Sequence, residues 1–100
     1  MLPTRRAPTS PGEMLLKEFL QPLGVSQTDL ARRLGIPIQR VNTIIAGKRA
    51  VTAETALLLA AGLGTSPEFW LNLQTSWDLW HARRRFKPTV KRIVGRVRAG

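Results

Sequence analysis

Apolar residues near the start of the chain recur with the spacing of a helix. Four of them occupy positions i, i+3, i+4 and i+7, namely Leu16, Phe19, Leu20 and Leu23. Residues at this spacing share one helix face. The preceding segment Ser10-Pro11-Gly12-Glu13 offers a capping hydroxyl, a proline for the first turn and an acid three residues after the cap. The pattern predicts a first helix over about residues 11–21, ended by Pro22 and Gly24.

Two short helices follow, separated by a tight turn. Ser26 can cap the second helix, and Gly35 can end it in the left-handed conformation. Its inward-facing residues are Leu30, Ala31 and Leu34. Pro37 supplies a helical φ for the third helix, which Gly47 ends. Its inward-facing residues are Val41, Ile44 and Ile45. This spacing predicts a helix-turn-helix over residues 26–46.

Two further helices complete the periodic part of the chain. Thr52 can cap a fourth helix, Ala53 to Leu63, which is apolar on nearly every side and is expected at the centre of the core. Ser66 opens a fifth helix that is expected to end at about Ala82. Its expected core stripe consists of Phe69, Trp70, Leu73, Trp77 and Trp80. Two leucines point off this stripe and are candidates for a dimer or partner contact, Leu71 and Leu79.

The chain is therefore predicted to be all-α, with one five-helix domain over residues 10–82. Residues 1–9 lack a periodic pattern and are interpreted as a flexible arm. Residues 83–100 are dense in Lys and Arg and are interrupted by Pro88 and Gly95, so they are interpreted as a basic tail. This tail could clamp DNA, exchange between subunits as a strand through Val94 and Val97, or extend into solvent.

Composition narrows the classes of function. The longest run without a polar side chain, residues 56–63, is far shorter than the roughly 20 residues that span a bilayer. Without a charged and apolar leader, the protein is expected to be cytoplasmic and away from membranes. With no cysteine and one histidine, neither a disulfide, a metal site nor a cofactor is expected. The acids are scattered and His81 is expected on the surface, so no catalytic residue is predicted.

The net charge of +10 is unevenly distributed. Arg5 and Arg6 carry two of the positive charges, the tail carries eight, and neither segment contains an acid. Residues 7–82 contain six basic and six acidic side chains, so this part is neutral. Net charge alone therefore does not locate a DNA-binding face, and the helix-turn-helix must be identified by its geometry.

The exposed face of the third helix carries side chains that can read DNA bases. Gln39 can pair with N6 and N7 of adenine, Arg40 with guanine or a phosphate, and Thr43 with a thymine methyl group. A bidentate pair of this kind contributes about 1–3 kcal/mol of discrimination. Ile38 could contact thymine methyl groups or lie at the rim of the core. The residues expected to hold phosphates are Gln27, Thr28, Asn42, Lys48 and Arg49.

The segment SQTDLARRLGIPIQRVNTIIAGKR resembles the Xre (Cro/repressor-type) family, over about residues 13–72. The resemblance implies a lambda-repressor-like domain whose second motif helix enters the major groove while the first crosses the backbone. The family commonly has a capping Ser or Thr where Pro37 stands and a polar residue where Ile38 stands. The third helix is therefore expected to begin without a side-chain cap.

A narrower resemblance rests on residues 10–31 and 42–80, and its most specific part is the run GTSPEFWLNLQ, residues 64–74. These segments are similar to the HigA (VapI-like) antitoxins. That resemblance implies a homodimer that binds a palindromic operator at its own promoter. It also implies neutralisation of a HigB toxin, a RelE-like ribonuclease that cleaves messenger RNA on the ribosome. An RNA-binding toxin is expected to be basic, so the basic tail would repel it unless the tail faces away.

Two other functions remain open at this point. One is a stand-alone Xre-type regulator without a toxin, which the neighbouring reading frame would distinguish. The other is a nonspecific nucleic-acid binder driven by the tail, whose binding would fall steeply with salt regardless of sequence.

Overall fold

The computed structural model describes residues 6–93, and over this range the chain forms five helices and no strand. The first, α1, consists of the consecutive segments Pro11–Met14, a π turn Leu15–Leu20, and Gln21–Leu23. The others are α2 (Gln27–Leu34), α3 (Ile38–Ile45), α4 (Ala53–Leu63) and α5 (Pro67–Arg85). The all-α, five-helix fold predicted from the sequence is confirmed.

Four of the five helices begin at the capping residues that the sequence indicated. Each cap has an extended backbone, and its hydroxyl accepts a hydrogen bond from an amide in the first turn; the caps are Ser10, Ser26, Thr52 and Ser66. These bonds satisfy amides that have no partner within the helix. α3 differs, because Pro37 is its N-cap, with φ −61° and ψ 144°, and no side chain caps it. The expectation of an uncapped α3 is confirmed, and Pro37 has the helical φ that the sequence indicated, although its ψ is extended.

The predicted end of α1 and its predicted buried face were both partly wrong, and one feature explains both. In a regular α-helix, Pro22 lacks a donor and its ring meets the carbonyl of Glu18. The π turn accommodates the proline, with the Gln21 amide donating to the carbonyl five residues back, and the helix continues to Leu23. The wider turn also changes the register, so the buried residues are Leu15 and Leu20, while Leu23 is 62% exposed.

The core combines side chains from all five helices and the loop before α4. Its buried members are Leu15, Leu20, Leu30, Ala31, Val41, Ile44, Val51, Ala56, Leu59 and Trp70. α4 was expected at the centre of the core, but only one of its faces is buried there, through Ala56 and Leu59, while Leu57 is 59% exposed. α3 packs against α2 and α1, which fixes the orientation of the helix that carries the candidate DNA-reading residues.

The aromatic part of the core lies where α5 begins. Trp70 is fully buried, and its indole N–H donates to Thr65 Oγ1 at 2.7 Å. Its ring centroid lies 5.3 Å from that of Phe19 and 5.1 Å from that of Phe69, at tilted and edge-to-face angles. These geometries favour aromatic pairs beyond the area that they bury. The cluster ties α5 to α1.

The second half of α5 is less buried than the predicted core stripe. Of the aromatic residues of α5, only Trp70, near its start, is buried. Trp77 and Trp80, in the second half, are half-buried. The helix also runs three residues past the expected end at Ala82, so the first three basic residues of the predicted tail are helical. α5 therefore extends beyond the core that its first turns complete.

The two ends of the chain lie mostly outside the described residues. Residues 1–5 of the predicted arm and residues 94–100 of the predicted tail, with Val94 and Val97, are not described. Residues 86–93 have no regular secondary structure and are exposed. Across residues 6–93, no helix is long and apolar enough to cross a membrane.

Gly12 marks the closest approach between α1 and α3. A Cβ at this position would overlap the carbonyl oxygen of Ile44 and lie 2.8 Å from Cα of Ile45. Both atoms belong to the backbone of α3, so no side-chain rotation relieves the overlap. A residue without a side chain is therefore needed here for α1 to pack on α3.

We predict that Gly12→Ala lowers the free energy of unfolding by about 1–3 kcal/mol, because the added methyl forces the two helices apart. Gly62→Ala is a matched control, since that Cβ meets only Leu34 Cδ2, the end of a flexible side chain, at 2.8 Å. Alanine also favours a helix over glycine, so the control should change stability by less than about 1 kcal/mol. Urea denaturation measures both. Equal effects of the two substitutions would contradict the proposed packing.

Candidate nucleic-acid interface

α3 is amphipathic, with an apolar side in the core and a polar side in solvent. Val41 and Ile44 are buried and Ile45 is half-buried. Gln39 and Asn42 are exposed on the other side. Burial of Val41 and Ile44 fixes the rotation of the helix about its axis, and this rotation leaves the amide of Gln39 free to meet a base edge.

The remaining candidate base-reading residues are half-buried. Thr43 Oγ1 lies 2.7 Å from the Gln39 carbonyl oxygen and 3.2 Å from that of Arg40, so its proton is donated within its own helix. The methyl group of Thr43 is then the part that suits a thymine methyl. Ile38 packs against the core with part of its surface still accessible. The guanidinium of Arg40 forms no ion pair with any of the described residues.

A side-chain hydrogen bond joins the two helices of the motif. Asn42 Nδ2 on α3 donates to Gln27 Oε1 on α2. The amide group of Gln27 keeps its own N–H donors, which can meet a phosphate oxygen. The contact was not foreseen from the sequence, because the two residues are 15 positions apart. It couples the start of α2 to the exposed side of α3.

The start of α2 offers backbone donors beside that contact. The Ser26 hydroxyl accepts from the Asp29 amide at 3.0 Å. The amides of Gln27 and Thr28, at the first two helical positions, have no acceptor within α2. Further along, Asp29 is bound by Arg32 at 3.3 Å and by Arg33 at 3.0 Å. These two arginines are therefore paired with a carboxylate, whereas the first turn of α2 is open to an anion.

The loop after α3 carries two exposed cations, Lys48 and Arg49. Their backbone amides donate to the Thr43 carbonyl at 2.8 and 3.1 Å, so the loop folds back on the end of α3. Gln74 of α5 supports it from behind, because its Oε1 accepts from the Val51 amide at 2.7 Å. Nothing in the sequence singled out Gln74, a polar residue in mid-helix that is 23 positions from its partner.

Hydrogen bonds tie predicted contact residues of α2 and of the loop after α3 to α3, and these residues form the candidate DNA-binding surface. Gln27 accepts a hydrogen bond from Asn42, and the Thr43 carbonyl accepts hydrogen bonds from the backbone amides of Lys48 and Arg49. Leu71 and Leu79 lie apart from this surface, on α5. Leu71 is half-buried against the core, and Leu79 is 45% exposed. Of the two, Leu79 has more surface left for a partner.

His81 does not lie on the surface as expected. It is half-buried, and its ring centroid lies 4.3 Å from that of Trp77 and 5.0 Å from that of Trp80. Its Nε2 is buried without a hydrogen-bond partner in the described structure. The ring lies between Trp77, four residues earlier on the same helix face, and the adjacent Trp80. Because side chains four residues apart on a helix are neighbours, the sequence could have indicated the contact with Trp77. Residues 6–93 contain no group of three His, Cys, Asp or Glu side chains that could hold a metal ion.

Known proteins share both the motif and the fold. Residues 16–70 match the helix-turn-helix family. Antitoxin HigA-1 of Vibrio cholerae is 45% identical over 91% of this chain and 86% of its own length. An uncharacterised HTH-type transcriptional regulator of Haemophilus influenzae is 41% identical over 88% of this chain and 84% of its own length. Antitoxin GraA, solved in complex with its operator, superposes with a TM-score of 0.83 at 40% identity, over 95% of this chain and all of that one.

The helix-turn-helix match covers more than half of the chain, and the identity to HigA-1 extends over most of both proteins. The fold agrees with that of a solved antitoxin, as the superposition on GraA shows. The chain therefore belongs to the HigA (VapI-like) antitoxins of the Xre-type helix-turn-helix family.

Proposed function

We propose that this protein is the antitoxin of a type II toxin–antitoxin pair and represses its own operon. The observation that carries the proposal is its similarity, over nearly the whole chain, to an antitoxin solved on its operator. The polar side of α3 supports the DNA-binding part. The protein is proposed to act as a homodimer in the bacterial cytoplasm, on an operator of two half-sites spaced one helical turn apart.

In this proposal α3 lies in the major groove and the two sets of contact residues have different tasks. Gln39 and Arg40 hydrogen-bond base edges, while Thr43 and the accessible part of Ile38 contact thymine methyl groups. The phosphate-binding set surrounds them and sets the depth and register of the helix. It consists of Gln27, Thr28, Asn42, Lys48 and Arg49. The Gln27–Asn42 bond holds the two helices in the orientation that this arrangement needs.

We predict that Gln39→Ala weakens binding to the operator by about 1–3 kcal/mol, or about 5- to 150-fold, because the bidentate pairing with adenine is removed. Binding to an unrelated duplex should be nearly unchanged, since Gln39 is assigned no phosphate. Fluorescence anisotropy with a duplex from the protein's own promoter measures both affinities.

Gln21→Ala is the matched control, because it removes the same side chain from an exposed position on α1. It should bind as the parent does. The base-reading role of α3 would be refuted if Gln39→Ala discriminated between the two duplexes as well as the parent.

Leu79 is proposed to contact a second subunit, because it is a large apolar side chain that the monomer leaves 45% exposed. We predict that Leu79→Ser weakens the dimer by about 1 kcal/mol for each copy of the side chain, with little change in monomer stability. Leu57→Ser removes an equally apolar side chain that is 59% exposed on α4, and it serves as the control. Sedimentation equilibrium compares the two. A dimer weakened equally by both substitutions would argue against the assignment to Leu79.

The antitoxin function is proposed to be separable from DNA reading, because the base-reading residues lie on one side of a single helix. We predict that the gene next to this one encodes a RelE-like protein, and that both the parent and Gln39→Ala co-purify with it. Both should also prevent that protein from cleaving messenger RNA in a translation extract. Absence of a complex with the parent would refute the antitoxin assignment.

A second candidate is a stand-alone transcriptional regulator without a toxin. The similarity to a Haemophilus influenzae protein described only as a transcriptional regulator favours it. Specific operator binding together with no toxin gene beside this one would support this candidate.

A further inference from the structure

We propose that the basic extension after the folded core, residues 83–93, binds the phosphate backbone of the same DNA duplex that α3 reads. The inference rests on the proposed function and assigns a second DNA contact to it. The extension begins with the last turn of α5 and continues through the segment without regular structure. It contains six basic side chains and no acid, namely Arg83, Arg84, Arg85, Lys87, Lys91 and Arg92.

Charge balance gives the first reason. Residues 7–82 contain equal numbers of basic and acidic side chains, so the folded domain brings no net positive charge to DNA. Neutralisation of phosphates supplies nearly all nonspecific affinity and a large share of specific affinity. The phosphate-binding set of the domain contains only two cations, Lys48 and Arg49, which neutralise few phosphates. Within residues 6–93, the extension carries a large excess of positive charge, and it directly follows the folded domain.

Position gives the second reason. Arg85 lines a shallow groove together with Gly47, the residue directly before Lys48. The groove between the end of α5 and the loop after α3 therefore brings the start of the extension close to the proposed phosphate-binding loop. Asp78 also lines the groove and offsets one positive charge, and its Oδ1 accepts from Gln74 Nε2 at 2.9 Å. Beyond Arg85 the extension has no acid to offset its cations.

The extension is also accessible and long enough. Phe86, Val90 and Ile93 are 65%, 86% and 80% exposed, so the core does not hold the segment down. From residue 85 to residue 92 an extended chain reaches at most about 25 Å. This distance corresponds to roughly seven base pairs along the helix axis. The extension can therefore follow the backbone beside the half-site that α3 occupies.

The match to the relative solved on its operator includes this part of the chain. Its match covers 95% of this chain, so at most five residues lie outside the matched stretch. Residues 83–93 fall inside the matched stretch whichever end those residues occupy. A stretch aligned with the extension is thus present in a relative that was solved on its operator.

The test is the salt dependence of binding by the full-length double variant Lys87→Ala/Lys91→Ala. Both substitutions lie outside the helices, so they leave the folded domain intact. Arg32→Ala/Arg33→Ala is the control, because it also removes two cations, from a site where Asp29 already pairs them. The probes are a duplex from the protein's own promoter and an unrelated duplex of equal length.

For the extension variant, the slope of log K against log salt should become shallower by about 0.9 for each phosphate that is no longer neutralised, up to about 1.8 per chain. Affinity at about 0.1 M salt should fall by roughly tenfold for each such phosphate, and by the same factor on both duplexes. The control should keep the parent slope. A slope equal to that of the parent or of the control overturns the proposal, and so does a weakening confined to the promoter duplex.

The two proposals fail in different ways. If the parent bound both duplexes equally, the proposed operator recognition would fail, while the slope on either duplex would still test the extension. If the parent preferred its promoter and the extension variant kept the parent slope, recognition would stand and the extension would have no part in it.

Discussion

The backbone contact between Gly12 and the end of α3 is the constraint on which the DNA-binding surface depends. α3 has only eight residues, and no side chain caps its start, so its stability comes from packing rather than from its own hydrogen bonds. α1 lies against the backbone of Ile44 and Ile45, α2 also packs on α3, and the loop after α3 is held by Gln74. Each contact fixes the rotation or tilt of α3. These contacts of α3 with α1, α2 and the following loop position the exposed amide of Gln39 more than the residues next to Gln39 do.

The functions of the molecule divide along its structure. The neutral domain supplies shape, with a polar helix side whose members are joined by hydrogen bonds to α2 and to the following loop. The basic extension supplies charge, beginning beside that loop. In the proposed complex the two parts have different tasks, because base contacts discriminate between sequences while phosphate contacts provide affinity. This division explains why the high net charge does not coincide with the motif that reads the sequence.

Much of the fold could be predicted from local sequence signals. Caps such as Ser26 and the left-handed glycine at Gly35 act within one helix, and the boundaries of α2 followed from them. The inward position of Val41 followed from the apolar spacing within α3. The end of α1 could not be predicted this way, because the π turn exchanges a regular hydrogen-bond pattern for room around Pro22. Contacts between distant residues, such as Gln27 with Asn42 and Gln74 with Val51, were missed because neither partner is unusual alone. The half-burial of Trp77 and His81 depends on where α5 leaves the core, which periodicity does not show.

The claim at the centre of this account is that α3 lies in the major groove of the operator. The sequence contains no cysteine, so Ala46→Cys, exposed directly after α3 and outside the assigned contact residues, provides a single attachment point for a DNA-cleaving iron chelate. The account predicts cleavage at two places about one helical turn apart, around the major groove of each half-site. The same chelate on Leu57→Cys, exposed on α4, should leave these positions intact. Equal cleavage from both attachment points, or cleavage spread along the duplex without a repeat, would contradict the account.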